Sequence, residues 1–514
     1  DSLARALGPK ANRPANATSF SEIRIDDGTI DVSDAPRGIS ETLDNVNLAL
    51  AWPSISKSFA ATGRFEWHKE PIDAAITLTD FASALAGDRS GLKVRLTGTP
   101  IKLAFDGNVS TSPTLKVDGT LAADSPSLRD TLRWAGYQPP TGGGFGRFAV
   151  KAKTSVASGT IALSTVNIEL DGNVAEGVLT FSTDGRRSLQ GTLAADDLNL
   201  TPYLGTIRLL TANERDWNGG PLSFDDLSGL DLDLRLSAAR IAIQRAKLGR
   251  TAVALNVRGG KLNVTIGESQ AFGGMLKGTL AIAASDVGAD FKSQMQFIDV
   301  DLENCLNDLF QFRRLEGRGD MEVVLDASGN SVLALTRTMN GSAKLAGRQG
   351  AMVGINVEQL LRRLERRPLS GSTGDFRNGR TPFEKLTVDI KIAQGIASVE
   401  NVNLEGSKVR LGLGGQASIP ARDFDLRGVA ALASTSAADA QPAFELPFVV
   451  QGQWEDPVIL PDTQSLLQRS PLATEGYGII YNAAILKKYF GMEGAKATSV
   501  EEIKGFDKLK EVVE

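Results

Sequence analysis

The chain has 514 residues, 42% of them hydrophobic and 23% charged, with a net charge of −5. Such a composition can bury a core over several ordinary domains and excludes a wholly disordered chain, and its mild acidity offers no global cationic field for nucleic acid. A single cysteine, Cys305, and a single histidine, His68, exclude an internal disulfide and argue against imidazole triads, thiol catalysis and cysteine-type zinc sites.

In chain order, residues 1–20 read as a polar, Pro- and Ala-containing linker. No run of roughly 18 apolar residues is present to cross a bilayer as a helix, and no signal peptide is visible. Period-2 alternation then begins. Ile23, Ile25, Ile30 and Val32 flank Asp27-Gly28, a hairpin signal. Val46/Leu48/Leu50, Leu92/Val94/Leu96 and Ile101/Leu103/Phe105 follow, then Ile161/Leu163 and Val166/Ile168/Leu170. Leu232/Leu234/Leu236, Val253/Leu255/Val257, Leu262/Val264/Ile266 and Val409/Leu411/Leu413 continue the pattern. Asp106-Gly107, Asp171-Gly172, Asp184-Gly185 and Gly259-Gly260 read as the turns between them. The pattern predicts a meander of antiparallel strands with one wet and one dry face.

Short helices are expected among the strands. Ser125-Pro126 reads as a cap and first helical residue, with Gly136 ending that helix. Further strand–Asp–helix junctions are expected at Asp80–Leu85, Asp197–Leu204 and Asp299–Phe310, the last burying Cys305. Asn356–Arg367 reads as an amphipathic helix whose last turns carry Arg362, Arg363, Arg366 and Arg367, with Pro368 beyond. Those arginines are either a solvated end on a packed helix or contacts for anionic lipid headgroups.

A cadence recurs. Gly119-Thr120-Leu121-Ala122-Ala123-Asp124 returns as Gly191-Thr192-Leu193-Ala194-Ala195-Asp196, and loosely as Gly278-Thr279-Leu280-Ala281-Ile282-Ala283. Irregular self-similarity over long units predicts a mainly β, elongated stack of antiparallel strands curled into an open groove, punctuated by short helices. About 30 strands spaced ~4.8 Å apart would extend roughly 140 Å along the stacking direction. Two β segments are expected, 21–210 and 211–470, with a helical tail over 471–514.

Catalytic constellations are weak. The pairs Asp26-Asp27, Asp196-Asp197 and Asp225-Asp226 fall at expected turns and helix starts, where Asp caps backbone N–H groups. Gly142-Gly143-Gly144-Phe145-Gly146 lacks the Lys-Ser/Thr of a phosphate loop and reads as a flexible connector. His68 is expected at an exposed hairpin tip.

Asp231-Leu232-Asp233-Leu234-Arg235-Leu236-Ser237-Ala238-Ala239-Arg240-Ile241, Gly259-Gly260-Lys261-Leu262 and Ala271-Phe272-Gly273-Gly274 together resemble the AsmA family of Gram-negative envelope proteins. So do Gly341–Leu345, Gly350–Asn356, Thr381–Leu386, Gly395-Ile396-Ala397 and Gln453–Pro457. The resemblance covers roughly residues 20–470 and implies a periplasmic body with a long β groove. It also implies attachment of the full-length protein to the inner membrane through an N-terminal anchor, expected to be missing from this stretch, and a part in moving phospholipid between the membranes that affects outer-membrane assembly. Residues 475–514, with Ser499 and Glu502 as a capping box, instead resemble a fragment of an ABC-type extracellular sugar-binding protein; no sugar site is carried over.

The expected function is therefore non-enzymatic, without cofactor or metal. Phospholipid acyl chains would contact Ile161, Leu163, Ile168, Leu170, Leu234, Leu255, Val264 and Leu411. Headgroups would meet Arg362, Arg363, Arg366 and Arg367. One alternative is a structural or chaperone-like scaffold pairing its edges with envelope β proteins, including outer-membrane proteins. A polysaccharide-acting enzyme of the parallel β-helix type would need a carboxylate cluster that the sequence does not offer.

Overall fold

In the computed structural model the described residues form 24 strands and six helices. The residues described are 20–34, 39–52, 58–139, 142–183, 185–204, 216–222, 229–244, 246–286, 288–310, 312–366, 379–433, 444–454 and 457–462. The expected linker and the tail from 471 lie outside them, as do the tail's capping box and its sugar-binding resemblance. The chain divides into two compact units. Unit 1 is 1–208, 223–269 and 281–284; unit 2 is 209–222, 270–280 and 285–514.

Unit 1 begins with β1 (Phe20–Asp34), β2 (Ile39–Trp52), β3 (Phe59–Trp67), β4 (Glu70–Leu78), β5 (Ser90–Gly98), β6 (Lys102–Ser110) and β7 (Lys116–Ser125). It continues with β8 (Phe148–Ala157), β9 (Thr160–Leu170), β10 (Asn173–Ser182) and β11 (Ser188–Asn199). Each of these pairs antiparallel with the next. β12 (Asp231–Ile243) then pairs parallel with β11 and antiparallel with β13 (Ala246–Arg258). The parallel step departs from the expected meander, since a parallel pair requires the chain to return to the starting end between β11 and β12. It also keeps β12 and β13 with unit 1. A Gly259-Gly260 turn, both residues at positive φ, leads to β14 (Lys261–Ala271), the geometry of a type I′ hairpin. β15 (Gly274–Ser285) follows.

Unit 2 holds β16 (Gly288–Asp301), β17 (Leu315–Gly329), β18 (Asn340–Val353), β19 (Arg380–Ala393), β20 (Ile396–Glu405), β21 (Val409–Ser418), β22 (Asp423–Leu432), β23 (Glu445–Gln453) and β24 (Val458–Pro461). They too pair in sequence order, all antiparallel. Among the described residues neither run closes on itself, so the fold is mainly β with open antiparallel sheets and short helices.

The helices are α1 (Phe81–Ala86), α2 (Leu128–Trp134), α3 (Thr201–Leu204), α4 (Leu302–Phe310), α5 (Val332–Thr338) and α6 (Val357–Arg366). α1 starts where expected: Asp80 accepts from Ser83 N at 3.0 Å, and Gly87 closes the helix in the left-handed region. α2 starts two residues later than read. Ser127 is its cap, while Ser125 ends β7 and its buried hydroxyl shares a hydrogen bond with Thr131 Oγ1 at 2.6 Å. α3 is preceded by Asn199, whose side chain accepts from Thr201 N, while Asp197 is a strand residue paired with Arg240. α5, capped by Ser331, was not legible in the apolar periodicity.

Two expected turns instead lie inside strands, one reason the described strands number fewer than the expected 30. Asp27-Gly28 is a bulge within β1, and Asp106-Gly107 lies in the middle of β6. Comparable bulges place Asn45, Thr165 and Asp299 at positive φ, with register shifts in the strand pairings around them. Each is followed by an inward valine: Val46, Val166 and Val300 are at most 1% exposed. A bulge inserts one residue and so changes which side chains face inward. That is why Ile161/Leu163 and Val166/Ile168/Leu170 are out of step in sequence yet share one face of β9.

Candidate functional site: an apolar sheet face

Strand register lines up the inward residues into rows across unit 1. One row runs Leu78–Leu92–Gly107–Gly119–Thr154–Leu163 and continues Leu179–Gly191–Leu234–Leu255. A second joins Val109, Val117, Val156, Ile161, Phe181, Leu189, Leu232 and Val257. On the other side of the Leu163 row, Val166–Gly177–Leu193–Leu236–Val253 forms a third. Ile25–Leu48–Gly63–Ala74–Leu96–Leu103 begins a fourth, which passes through Val150, Ile168, Ala175, Ala195 and Ala238. Rows two residues apart on a strand lie about 7 Å apart, so four rows make a face about 20 Å across.

This face is accessible in its middle. Leu92, Val94, Leu121, Leu163, Ile168, Leu189, Leu193, Leu234, Leu236 and Leu255 are each half-buried. In a closed sandwich such central Leu and Val residues would be packed between two sheets. The buried positions are mostly small residues or bulge valines, including Ala74, Ala123, Ala175, Ala238 and Val166. Ala152, Val166 and Leu179 form a buried cluster with Val150, Leu163, Ile168, Leu189, Leu193 and Leu234 packed around it. Glycines flatten the surface locally: a Cβ at Gly107 or Gly119 would meet the Phe105 ring at 2.8 or 2.6 Å, so that ring lies over both strands.

The expected lipid-facing residues divide accordingly. Leu163, Leu234 and Leu255 share one row; Ile161 and Ile168 lie in rows on either side of it. Leu170, opposite Phe148 and Asn173 at the strand ends, is half-buried, as is Val264 on β14. Leu411 differs. It lies in unit 2 in the row Leu386–Leu404–Leu411–Ala430–Leu446, every member of which is buried, Leu411 to 8% exposure. Phe181, Leu189, Leu193, Leu236 and Val253 belong to the accessible rows equally; the alternation at Leu236 and Val253 was visible in the sequence, but not the register that joins the five.

Unit 2 covers both ends of its strands and leaves middle rows half-buried. At one end α4 buries Leu302, Cys305 and Leu306, and burial pushes the Cys305 thiol up to about 12. At the same end α6 buries Val357 and Leu361 and packs on β19 and β22. Asn356 Oδ1 accepts from Gln359 N at 2.9 Å, capping α6. At the other end α5 follows β17, and Trp217 donates to Ile419 O at 2.7 Å. The Arg422 guanidinium there stacks over Trp217 and Trp454, 5.3 and 5.8 Å from the ring centres. Between these ends Val323, Ala343, Ile390, Val399 and Val450 stay half-buried.

Of the arginines expected at headgroups, Arg362 is exposed and donates to Glu358 at 2.9 Å, and Arg363 is half-buried. The Arg366 side chain and the whole of Arg367 lie outside the described residues. Glu358 also meets Lys408 at 3.4 Å, so the helix presents mixed charge.

Two expected loose segments are pinned. Arg129 on α2 donates to the carbonyl of Gly142 at 2.8 Å, and Asp171 accepts from the backbone N–H groups of Phe145 and Gly146 at 2.8 Å each. The glycine-rich connector is thereby an ordered loop. His68 does occupy a hairpin turn, yet it also bridges Trp134 O at 2.6 Å and Glu41 at 2.9 Å. On the polar side of unit 2, Asp299 meets Arg318 at 2.8 Å and Arg348 at 3.4 Å. The Arg318 hydrogen bonds, aided by Arg348, hold the Asp299 carboxyl below its ordinary range.

Among the described residues no group of three or more His, Cys, Asp or Glu is arranged to hold a metal ion, and no helix is long and apolar enough to cross a membrane. The site is thus an extended apolar sheet face. Comparison places part of this architecture: the model of the AsmA family matches residues 210–402, bearing out the sequence resemblance over that stretch. No curated protein and no solved structure matched the chain.

Proposed function

We propose that this protein binds phospholipid acyl chains along its apolar sheet face and conducts lipid between the inner and outer membranes, supporting outer-membrane assembly from the periplasm. One observation carries the proposal: long cross-strand rows of Leu, Val and Ile remain half-buried across unit 1. Acyl chains laid on these rows remove apolar area from water at about 25 cal/mol per Å², while headgroups stay hydrated at the rim. Leu163, Leu234 and Leu255 would touch the chains directly, and Arg362 would meet anionic headgroups. The resemblance to AsmA proteins, an envelope-associated family, supports the compartment.

Native mass spectrometry of gently purified protein, combined with transfer of fluorescent phospholipid between vesicles, tests this. Co-purified lipid and protein-dependent transfer are expected. Protein that is consistently lipid-free and takes up no phospholipid would overturn it.

A further inference from the structure

Among the described residues the first strand of unit 1 has an unpaired outer backbone edge. Over β1 only β2 is bonded, on one side, and among the described residues no strand pairs on the other. An open edge of this length is a template for another strand. Its apolar side is also unfinished: Ile23 is 41% and Val32 48% exposed, whereas Ile25 and Ile30 between them are half-buried.

Charge on the polar side points to what belongs there. At three places elsewhere in unit 1, an acid facing outward meets a cation on the neighbouring strand, though Asp118 and Glu176 meet Ser155 and Asn167 instead. Arg64 meets Asp73 across β3–β4 at 2.8 Å, Lys93 meets Asp106 across β5–β6 at 3.0 Å, and Arg240 pairs with Asp197 across β11–β12. β1 carries Glu22, Asp26, Asp27, Asp31 and Asp34 against a single cation, Arg24, which pairs with Glu22 of its own strand at 3.0 Å. β2 supplies Glu41 and Asp44 and has no Lys or Arg. Among the described residues Asp31 accepts only the Thr42 hydroxyl, at 2.7 Å, and Asp26 and Asp27 have no ion-pair partner. A cation-bearing strand on the open side would give these carboxylates the cross-strand partners that Asp73, Asp106 and Asp197 have.

We infer that β1 is a docking edge for a β-strand of another protein in which apolar residues alternate with Lys or Arg. The apolar residues extend the rows ended by Ile23 and Val32, and the cations face Glu22, Asp26 and Asp31. Main-chain hydrogen bonds supply affinity and the alternation supplies selectivity. A second copy of this chain is disfavoured at the same edge, because β1 against β1 sets carboxylates against carboxylates.

The test uses the full chain with two capped ten-residue peptides, one alternating Val and Lys, the other Val and Glu. Amide hydrogen exchange along β1 is the readout. With the Val/Lys peptide, β1 amides not bonded to β2 are expected to exchange at least tenfold more slowly, an effect that weakens with salt; the Val/Glu peptide should leave them unchanged. A D26K/D31K variant, checked by thermal melting, should lose the response to Val/Lys and gain one to Val/Glu. Equal responses to both peptides, or none to either, overturn the inference. So does β1 protection in the free protein that rises with concentration, which indicates a second copy, or crosslinks from β1 to residues 1–19, which place the chain's own segment there. None of these readouts depends on lipid loading, so failure here leaves the lipid reading standing.

Discussion

Replacing Leu234 by Asp separates an accessible lipid face from a closed core. Leu234 is half-buried, opposite Gly191 on β11 and Leu255 on β13, and packs at the margin of the Ala152–Val166–Leu179 cluster. A fully buried Leu side chain contributes roughly 1.5–3 kcal/mol, so the half-buried one contributes about 1 kcal/mol. Water reaches this position, so the new carboxylate stays hydrated and adds little further cost. The expected loss lowers the melting temperature by about 2–4 °C for a unit of this size. Leu411→Asp is the matched control, since Leu411 is only 8% exposed. A carboxylate there is buried without a partner, costs several kcal/mol, and should lower the unit 2 transition by about 10 °C or more. In the vesicle assay, Leu234→Asp should abolish most phospholipid transfer while remaining folded, and Leu255→Asp should behave likewise. Leu234→Asp as destabilising as Leu411→Asp would show the rows to be core. A stable Leu234→Asp protein with undiminished transfer would remove this row from the path of the lipid.

Thr165 is the one β-branched residue at positive φ among the described non-glycine positions, with φ of 48°; Thr165→Asn should stabilise unit 1 by about 1 kcal/mol, and a lower melting temperature would contradict the strain. The Cys305 thiol, held at about 12 by burial, should resist alkylation at pH 8 until the protein unfolds; stoichiometric labelling of folded protein would show α4 to be displaced. Asp73, Asp197 and Asp299 have carboxyls lowered by hydrogen bonds from Arg64, Arg240 and Arg318. Lowered acids stabilise the fold above their unfolded values and lose that stabilisation as pH falls through the folded ones. The melting temperature should therefore decline below about pH 4, and a rise from pH 5 to pH 3 would refute this contribution. Arg129→Ala should speed hydrogen exchange in the loop 142–146, because the carbonyl of Gly142 loses its donor; unchanged exchange would show that Asp171 alone holds it.

Much of the β architecture was legible because a strand's side-chain period is two and does not depend on distant residues. The alternation at Leu92–Leu96, Leu232–Leu236 and Val253–Val257 named the inward faces correctly, and Asp80 and Asn356 marked helix starts through local capping. Bulges were less legible. Asp27-Gly28 has the composition of a hairpin turn, and only its pairing with β2 shows that the chain continues straight. Retrospectively a signal is present: Asn45-Val46-Asn47-Leu48, Thr165-Val166-Asn167-Ile168 and Asp299-Val300-Asp301-Leu302 repeat one bulge-and-valine pattern.

Which apolar residues meet depended on register, and register is a long-range property. Leu163, Leu234 and Leu255 lie far apart in the chain and share a row because β11 pairs parallel with β12 after residues 200–230, a step no local pattern encodes. The difference between Leu234 and Leu411 is likewise tertiary. Both sit in identical alternating contexts, but the row through Leu411 lies at the strand ends covered by helices, whereas the row through Leu234 stays in reach of water. Alternation alone determined that each of these leucines faces the apolar side. Only the packing of helices over strand ends decided which part of that side is core and which is surface, because burial depends on what lies above a residue and not on its neighbours in sequence.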